Sequence, residues 1–136
     1  MPPVFTIALR VYYEDTDAAG VVYYANYLKF MERARTEWLR ALGFEQDELA
    51  RRDGVMFVVR SAAMEFLKPA HFNDAIDVDV AIAGYRGASI DFAQHVRRAA
   101  TVLCEAKVRV ACVTSATHAP CALPAALAAQ LKEMNL

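Results

Sequence analysis

Residues 15–27 of the chain read DTDAAGVVYYANY. Asp15 and Asp17 stand two residues apart, Gly20 follows, and Tyr23, Tyr24, Asn26 and Tyr27 lead into a stretch with helical spacing. A carboxylate can act as a base or as a nucleophile toward a carbonyl carbon. The first amides of a helix lack internal partners and carry partial positive charge, so they can hold a developing oxyanion. The same residue types also suit a plainer role, because Asp and Asn accept hydrogen bonds from free amides at turns and helix starts. On these residues alone, cap and reaction site are both open.

The elements around this stretch follow from periodicity. Phe5 to Tyr13 alternates as a strand and ends at the acidic turn Glu14-Asp15-Thr16-Asp17. From Asn26 to Leu42, Tyr27, Met31, Ala34, Trp38 and Leu42 recur at three- and four-residue steps, one face of a helix that Gly43 ends. Arg33 and Glu37 form an i,i+4 pair on its other side. A short helical piece covers Glu45 to Arg52. Met56 to Val59 and Met64 to Leu67 are apolar runs, and Ile76 to Ala83 alternates cleanly before a turn at Gly84 to Gly87. Ile90, Phe92 and Val96 continue the pattern, with Asp91, His95 and Arg97 opposite. Cys104, Ala106, Val108, Val110 and Cys112 then share one face of a long strand, with Glu105, Lys107 and Arg109 on the other. Asp77 and Asp79 fall on the wet side of their strand. Pro124 to Met134 reads as a closing helix. Connections this short force antiparallel neighbours, so the expected fold is α+β, a curved antiparallel sheet with one long helix on its apolar face.

Composition bounds the function. A chain of 136 residues fits one domain, residues 1–136. A hydrophobic content of 57% leaves apolar surface to cover, which a homo-oligomer does most simply. A net charge of −1 gives no footprint for nucleic acid or for an anionic membrane. No stretch has the length of a membrane span, and the N-terminus lacks the pattern of a signal peptide. Cys104, Cys112 and Cys121 have neither a framework count nor CxxC spacing, which fits a reducing cytoplasm. His71, His95 and His118 are widely separated, so no metal site is expected.

The segment VYYEDTDAAGVVYYANYLKFMERARTEWL, Val11 to Leu39, resembles the opening of the hot-dog-fold acyl-CoA thioesterases of the 4-hydroxybenzoyl-CoA thioesterase family. It is most similar to the branch associated with the bacterial Tol–Pal system. The pattern D-x-D-x-x-G-x-V-x-Y-x-x-Y followed by ERAR carries the resemblance, which continues through FVVRSAAMEFLKPAHFND and GYRGASIDF. It implies a helix wrapped by a sheet, and subunits joined edge to edge as a homodimer or homotetramer with active sites at the interface.

It also implies roles for residues. Asp17 matches the nucleophile or general base, and the backbone N–H of Tyr24 matches the donor that polarises the thioester carbonyl. Members of the Tol–Pal branch often carry His where this chain has Tyr24; the resemblance therefore assigns that position its amide rather than a side-chain role. Tyr13 matches a tyrosine near the site. Arg86 and Ser89 lie where the family meets the pantetheine or nucleotide of coenzyme A, with Arg60 a further candidate, and Asn26 either caps the helix or touches ligand. Glu32, Arg33 and Arg35 read as a solvated helix face. The expected function is cofactor-free, metal-free hydrolysis of an acyl-CoA. Two rivals stand beside it. Hydratase or dehydratase chemistry on the same fold wants a His with an acidic partner, and no His lies near the helix start in the sequence. A non-catalytic module binding acyl-CoA or a protein partner would keep the fold without turnover. The chain alone leaves the acyl group open.

Overall fold

A computed structural model describes residues 4–134. Five strands form one antiparallel sheet: β1 (Phe5–Arg10), β2 (Val55–Phe66), β3 (Ala75–Tyr85), β4 (Ser89–Arg98) and β5 (Thr101–Thr114). Their spatial order is β1-β3-β4-β5-β2. The long helix α1 (Asn26–Ala41) lies between β1 and β2 in the chain. A short helix α2 (Gln46–Glu48) widens into a π-type turn at Leu49–Asp53, and α3 (Ala125–Glu133) closes the chain.

Tyr27, Phe30, Met31, Ala34 and Trp38 recur on one face of α1 and are all buried. They meet Ile76, Val78, Val80 and Ile82 of β3, Ile90, Phe92 and Val96 of β4, and the apolar residues of β5 in one core. Trp38 stands edge-on to Phe92 with ring centroids 5.3 Å apart. Burying side chains of this size stabilises the fold by about 1.5–3 kcal/mol each. Helix α3 adds Leu127 and Leu131, both fully buried, and its Gln130 Nε2 donates to the Leu42 carbonyl at 3.1 Å, satisfying the last turn of α1. Gly43, at φ 97°, lets the chain leave that helix.

The sheet matches the architecture expected from the sequence, with local differences. The first strand stops at Arg10 rather than Tyr13, because Val11 is drawn into bonds with Asp74 and Asn73 and Tyr13–Asp15 coils into a 3-10 turn. The two apolar runs, Met56 to Val59 and Met64 to Leu67, belong to the one twelve-residue strand β2, whose register against β5 shifts between Val59 and Ser61. Glu37 pairs with Arg40, not with Arg33, since Arg40 also reaches Glu45 and so ties α1 to the segment that follows. Asp79 is not wet. It is buried on the outer face beneath Arg97 Nε at 2.6 Å and Thr6 Oγ1 at 2.7 Å, a shielded carboxylate rather than a solvated one. Gln94 shares the inner face of β4 with the apolar residues, and it binds the buried Arg35 of α1.

The register gives the sheet two unlike ends. Arg10 of β1 lies opposite Ala75, so the loop into α1 leaves beside the start of β3 and the end of β4. The turn between Tyr85 and Ser89 lies at the other end. With about 3.3 Å per residue along β3, roughly 30 Å separates them.

Candidate active site

The loop before α1 is a small closed ribbon. Asp17 N donates to Val21 O at 2.9 Å and Tyr23 N to Asp15 O at 2.9 Å, with Gly20 N on Asp17 O at 3.0 Å closing the turn. Gly20 sits at φ 81° with open space where a side chain would point, so glycine is needed there for its backbone conformation and not for room. Two bonds pin the ribbon to the body. Val22, itself buried, donates to Ala70 O at 2.9 Å, and Ala70 N donates to the Tyr27 hydroxyl at 3.3 Å. Burial pushes that phenol above its ordinary value, so it stays protonated. The Asp15 carbonyl takes a second donor, Asn26 Nδ2, at 2.8 Å. The first residue of α1 is thus bolted to the loop that precedes it.

Within this frame the two aspartates differ. Asp15 Oδ2 accepts the Tyr12 amide at 2.8 Å and holds the 3-10 turn. Asp17 is exposed, and Oδ1 accepts the Ala19 amide at 2.9 Å. Among the described residues Oδ2 of Asp17 has no hydrogen-bond or ionic partner. The helix start is equally open. Tyr23, Tyr24 and Ala25 carbonyls accept from Asn26, Tyr27 and Leu28 N, while the Tyr24 and Ala25 amides donate to no group among the described residues. No side chain caps α1. The Tyr24 phenol is the main cause that holds the Tyr23 phenol above its ordinary value, and the Asp17 carboxylate is a minor one. A free carboxylate oxygen and two free amides at a helix start are the parts required for attack on a carbonyl and stabilisation of the resulting oxyanion.

The thioesterase-like superfamily model matches residues 11–131. The chain belongs to that superfamily. It is 44% identical over 131 residues to the acyl-CoA thioester hydrolase YbgC of Escherichia coli O6:H1, covering 96% of this chain and 97% of that one. It is also 44% identical over 120 residues to the acyl-CoA thioesterase YbgC of Haemophilus influenzae, covering 88% of each chain. Among solved structures it resembles a "Probable Thioesterase" from Bartonella henselae at TM-score 0.86 and 35% identity, over 90% of this chain and 100% of the other. The hot-dog fold that the sequence resemblance implied is the fold of this thioesterase-superfamily chain.

The residues that the resemblance singled out fall into three groups. Tyr13, Asp17, Tyr24 and Asn26 share the loop and helix start. Tyr13 is exposed and stacks on Phe72 with centroids 3.7 Å apart. Asn26 is buried, and its amide nitrogen serves the Asp15 carbonyl. Arg86 and Ser89 lie at the far end of the same sheet, where Arg86 N donates to Ser89 O at 2.9 Å. Arg60 is exposed in the middle of β2, at its register shift. One copy of the chain does not bring the three groups together.

Three features were not anticipated. Arg35 is buried against Gln94 Oε1 at 2.9 Å, and burial draws its guanidinium below its ordinary value against the opposing pull of Glu32. ERAR held the signal, but a two-sided helix pattern assigns such a residue to solvent. An open cavity of about 490 Å³ runs beside α1, lined by Leu28, Glu32, Arg35, Val59, Ala62 and Val108 among others. Leu28 is one helical turn beyond Tyr24, so the cavity begins next to the helix start. Finally, a histidine does lie near the loop. His71 is bridged to Val21 in antiparallel fashion, and its Nδ1 is 3.8 Å from Asp74 Oδ2. The backbone return after β2 brings it there, which sequence distance conceals.

Proposed function

We propose that this chain hydrolyses acyl-CoA thioesters to free acid and coenzyme A, with Asp17 as nucleophile or general base and the Tyr24 amide as oxyanion donor. The observation that carries the assignment is the pairing of an Asp17 carboxylate oxygen with helix-start amides, all without partners among the described residues, in a loop that hydrogen bonds at Asp15, Asn26 and Ala70 hold in place. On the general-base route a water oxygen bonds to the thioester carbon while its proton passes to Asp17. The carbonyl oxygen becomes an oxyanion held by the Tyr24 and Ala25 N–H groups. Collapse breaks the C–S bond, and the leaving thiolate takes the proton. On the nucleophilic route Asp17 bonds to the carbon first and collapse of the oxyanion breaks the C–S bond and expels the thiolate; water then cleaves the mixed anhydride, restoring the Asp17 carboxylate, and its proton passes to the thiolate. Both routes use the same two groups, and oxygen label traced from water in a single turnover separates them. The cavity beside Leu28, Val59, Ala62 and Val108 receives the acyl group, and neither cofactor nor metal takes part.

The working unit is a homodimer or a dimer of dimers. β2 is a twelve-residue edge strand paired on one side with β5, and an edge of that length invites a partner strand. Antiparallel pairing of two copies of β2 about a two-fold axis sets the Arg86 turn of one subunit at the end of the sheet where the other subunit presents Asp17. Arg86 and Ser89, with Arg60 at the seam, then meet coenzyme A across the interface. The whole chain, residues 1–136, acts as one cytoplasmic domain of the Tol–Pal-associated branch.

One observation favours a second reading: His71 beside Val21 with Asp74 as its acidic partner has the composition of a hydratase site. A panel of aliphatic, aromatic and 2-enoyl-CoAs tests both. Release of free thiol from saturated and aromatic acyl-CoAs supports hydrolysis; hydration of the enoyl substrate without thiol release overturns it in favour of the hydratase, and binding without turnover in favour of a non-catalytic module.

A further inference from the structure

After β5 the chain folds back on itself. Thr114 N donates to Ala119 O at 2.9 Å and Cys121 N to Cys112 O at 3.0 Å, and Val113 bridges Pro120 in antiparallel fashion. This register sets Cys112 and Cys121 directly opposite each other. Their sulfur atoms are 3.6 Å apart, in van der Waals contact as two thiols. The bond from Cys121 N to Cys112 O and the bridge beside it hold the two backbones at antiparallel spacing, about 4.5–5.5 Å between opposed Cα atoms, inside the range of about 4.4–6.8 Å that a disulfide spans. Cys104 has no such neighbour. It is buried eight residues earlier on β5, roughly 25 Å along the strand.

We propose that Cys112 and Cys121 are an oxidation site that a low-molecular-weight disulfide converts to a reversible intramolecular disulfide. The order of events follows from access. Cys121 is half-buried and meets the reagent; Cys112 is fully buried, and burial together with the Cys121 contact pushes its thiol up to about 12. Cys121 loses its proton and attacks one sulfur of the reagent, forming a mixed disulfide and releasing one small thiolate. Cys112 then loses its proton, attacks the Cys121 sulfur and expels the second small thiolate. The two protein thiols are oxidised by two electrons, the reagent is reduced to two thiols, and the two protons end on those thiols.

The bond fastens two parts of the fold. Leu123 N donates to Gly87 O at 2.8 Å and Cys112 N to Ala88 O at 2.8 Å, so the segment leading to α3 and the turn carrying Arg86 hang on the same pair of cysteines. Oxidation steadies both; that this steadies the coenzyme contact rests on the function proposed above.

The native protein incubated with glutathione disulfide supplies the test, by intact mass and peptide mapping. The expected product has lost two hydrogens, carries one crosslink between the Cys112 and Cys121 peptides, leaves Cys104 free and reverts with dithiothreitol. Amide hydrogen exchange at Leu123 slows. The Cys112→Ala variant traps one glutathione on Cys121, and Cys121→Ala takes up none. A wild-type protein that retains glutathione, stays fully reduced, crosslinks through Cys104 or between chains, or exchanges Leu123 at an unchanged rate overturns the proposal. None of these readouts depends on thioester hydrolysis, so a failure of the enzymatic reading leaves them intact.

Discussion

Asp15 and Asp17 carry the same side chain two residues apart and do different things. Asp15 spends its carboxylate on the Tyr12 amide and its carbonyl on Tyr23 N and Asn26 Nδ2; Asp17 spends one oxygen on a local turn and keeps the other. The alternation D-x-D in the sequence shows two candidates for a cap and cannot divide the labour, because the division depends on which amides the folded loop turns toward each. Asn26 shows the same dependence on the folded loop: the sequence leaves it between cap and ligand contact, and in the structure its amide nitrogen serves the Asp15 carbonyl. An Asn26→Ala variant leaves the Asp15 carbonyl short of a buried donor. Tyr23 N still serves that carbonyl, so the loss should cost about 0.5–1.5 kcal/mol of stability. Chemical denaturation checks this, and turnover should fall with little change in KM, since the loop that presents Asp17 loses its tie to α1. Arg35 and Asp79 were not legible as buried residues, because charged side chains at such positions read as solvated until the partner that shields them is known, and Gln94 and Arg97 come from strands distant in the chain.

The elements were more readable. The 3–4 spacing of Tyr27, Phe30, Met31, Ala34 and Trp38, and the alternation along β3, β4 and β5, are periodicities that only one face of a helix or a strand can satisfy. β2 was read as two pieces because its register shift near Arg60 interrupts the apolar pattern. On the outer face of the sheet, pairs across strands decide the response to acid. At Asp79 burial pushes the carboxyl up, but Arg97 and Thr6 more than reverse it; at Asp91 the Arg109 guanidinium is the main cause, and both carboxyls lie below the ordinary range. A carboxyl depressed in the folded state contributes stability that is complete above its unfolded pKa, near about 3.9, and is lost as pH falls through the folded value. Urea unfolding between neutral and strongly acid pH should show stability falling below about pH 4. Asp79→Asn should be less stable at neutral pH by on the order of 1 kcal/mol, because Arg97 is partly in water, and should show a shallower acid decline.

At the scale of the molecule, the candidate residues sit at opposite ends of one sheet, and a single chain cannot assemble them. That separation was invisible to spacing along the sequence, since it follows from the register of β1, β3 and β4. If the site is shared across a two-fold axis, two defective chains can repair each other. Asp17→Asn and Arg86→Ala, each impaired alone, should after mixing and subunit exchange recover about one quarter of wild-type activity, because half of the dimers are mixed and each has one intact site. Recovery absent under verified exchange would place both groups in separate roles. The central claim is narrower, that the Asp17 carboxylate either attacks the thioester held at the Tyr24 amide or activates the water that does. The steady-state hydrolysis of an accepted acyl-CoA by wild type and by Asp17→Asn of unchanged circular dichroism measures it. A fall in kcat of about 10²–10⁴ with KM nearly constant is predicted; equal kcat values would contradict it.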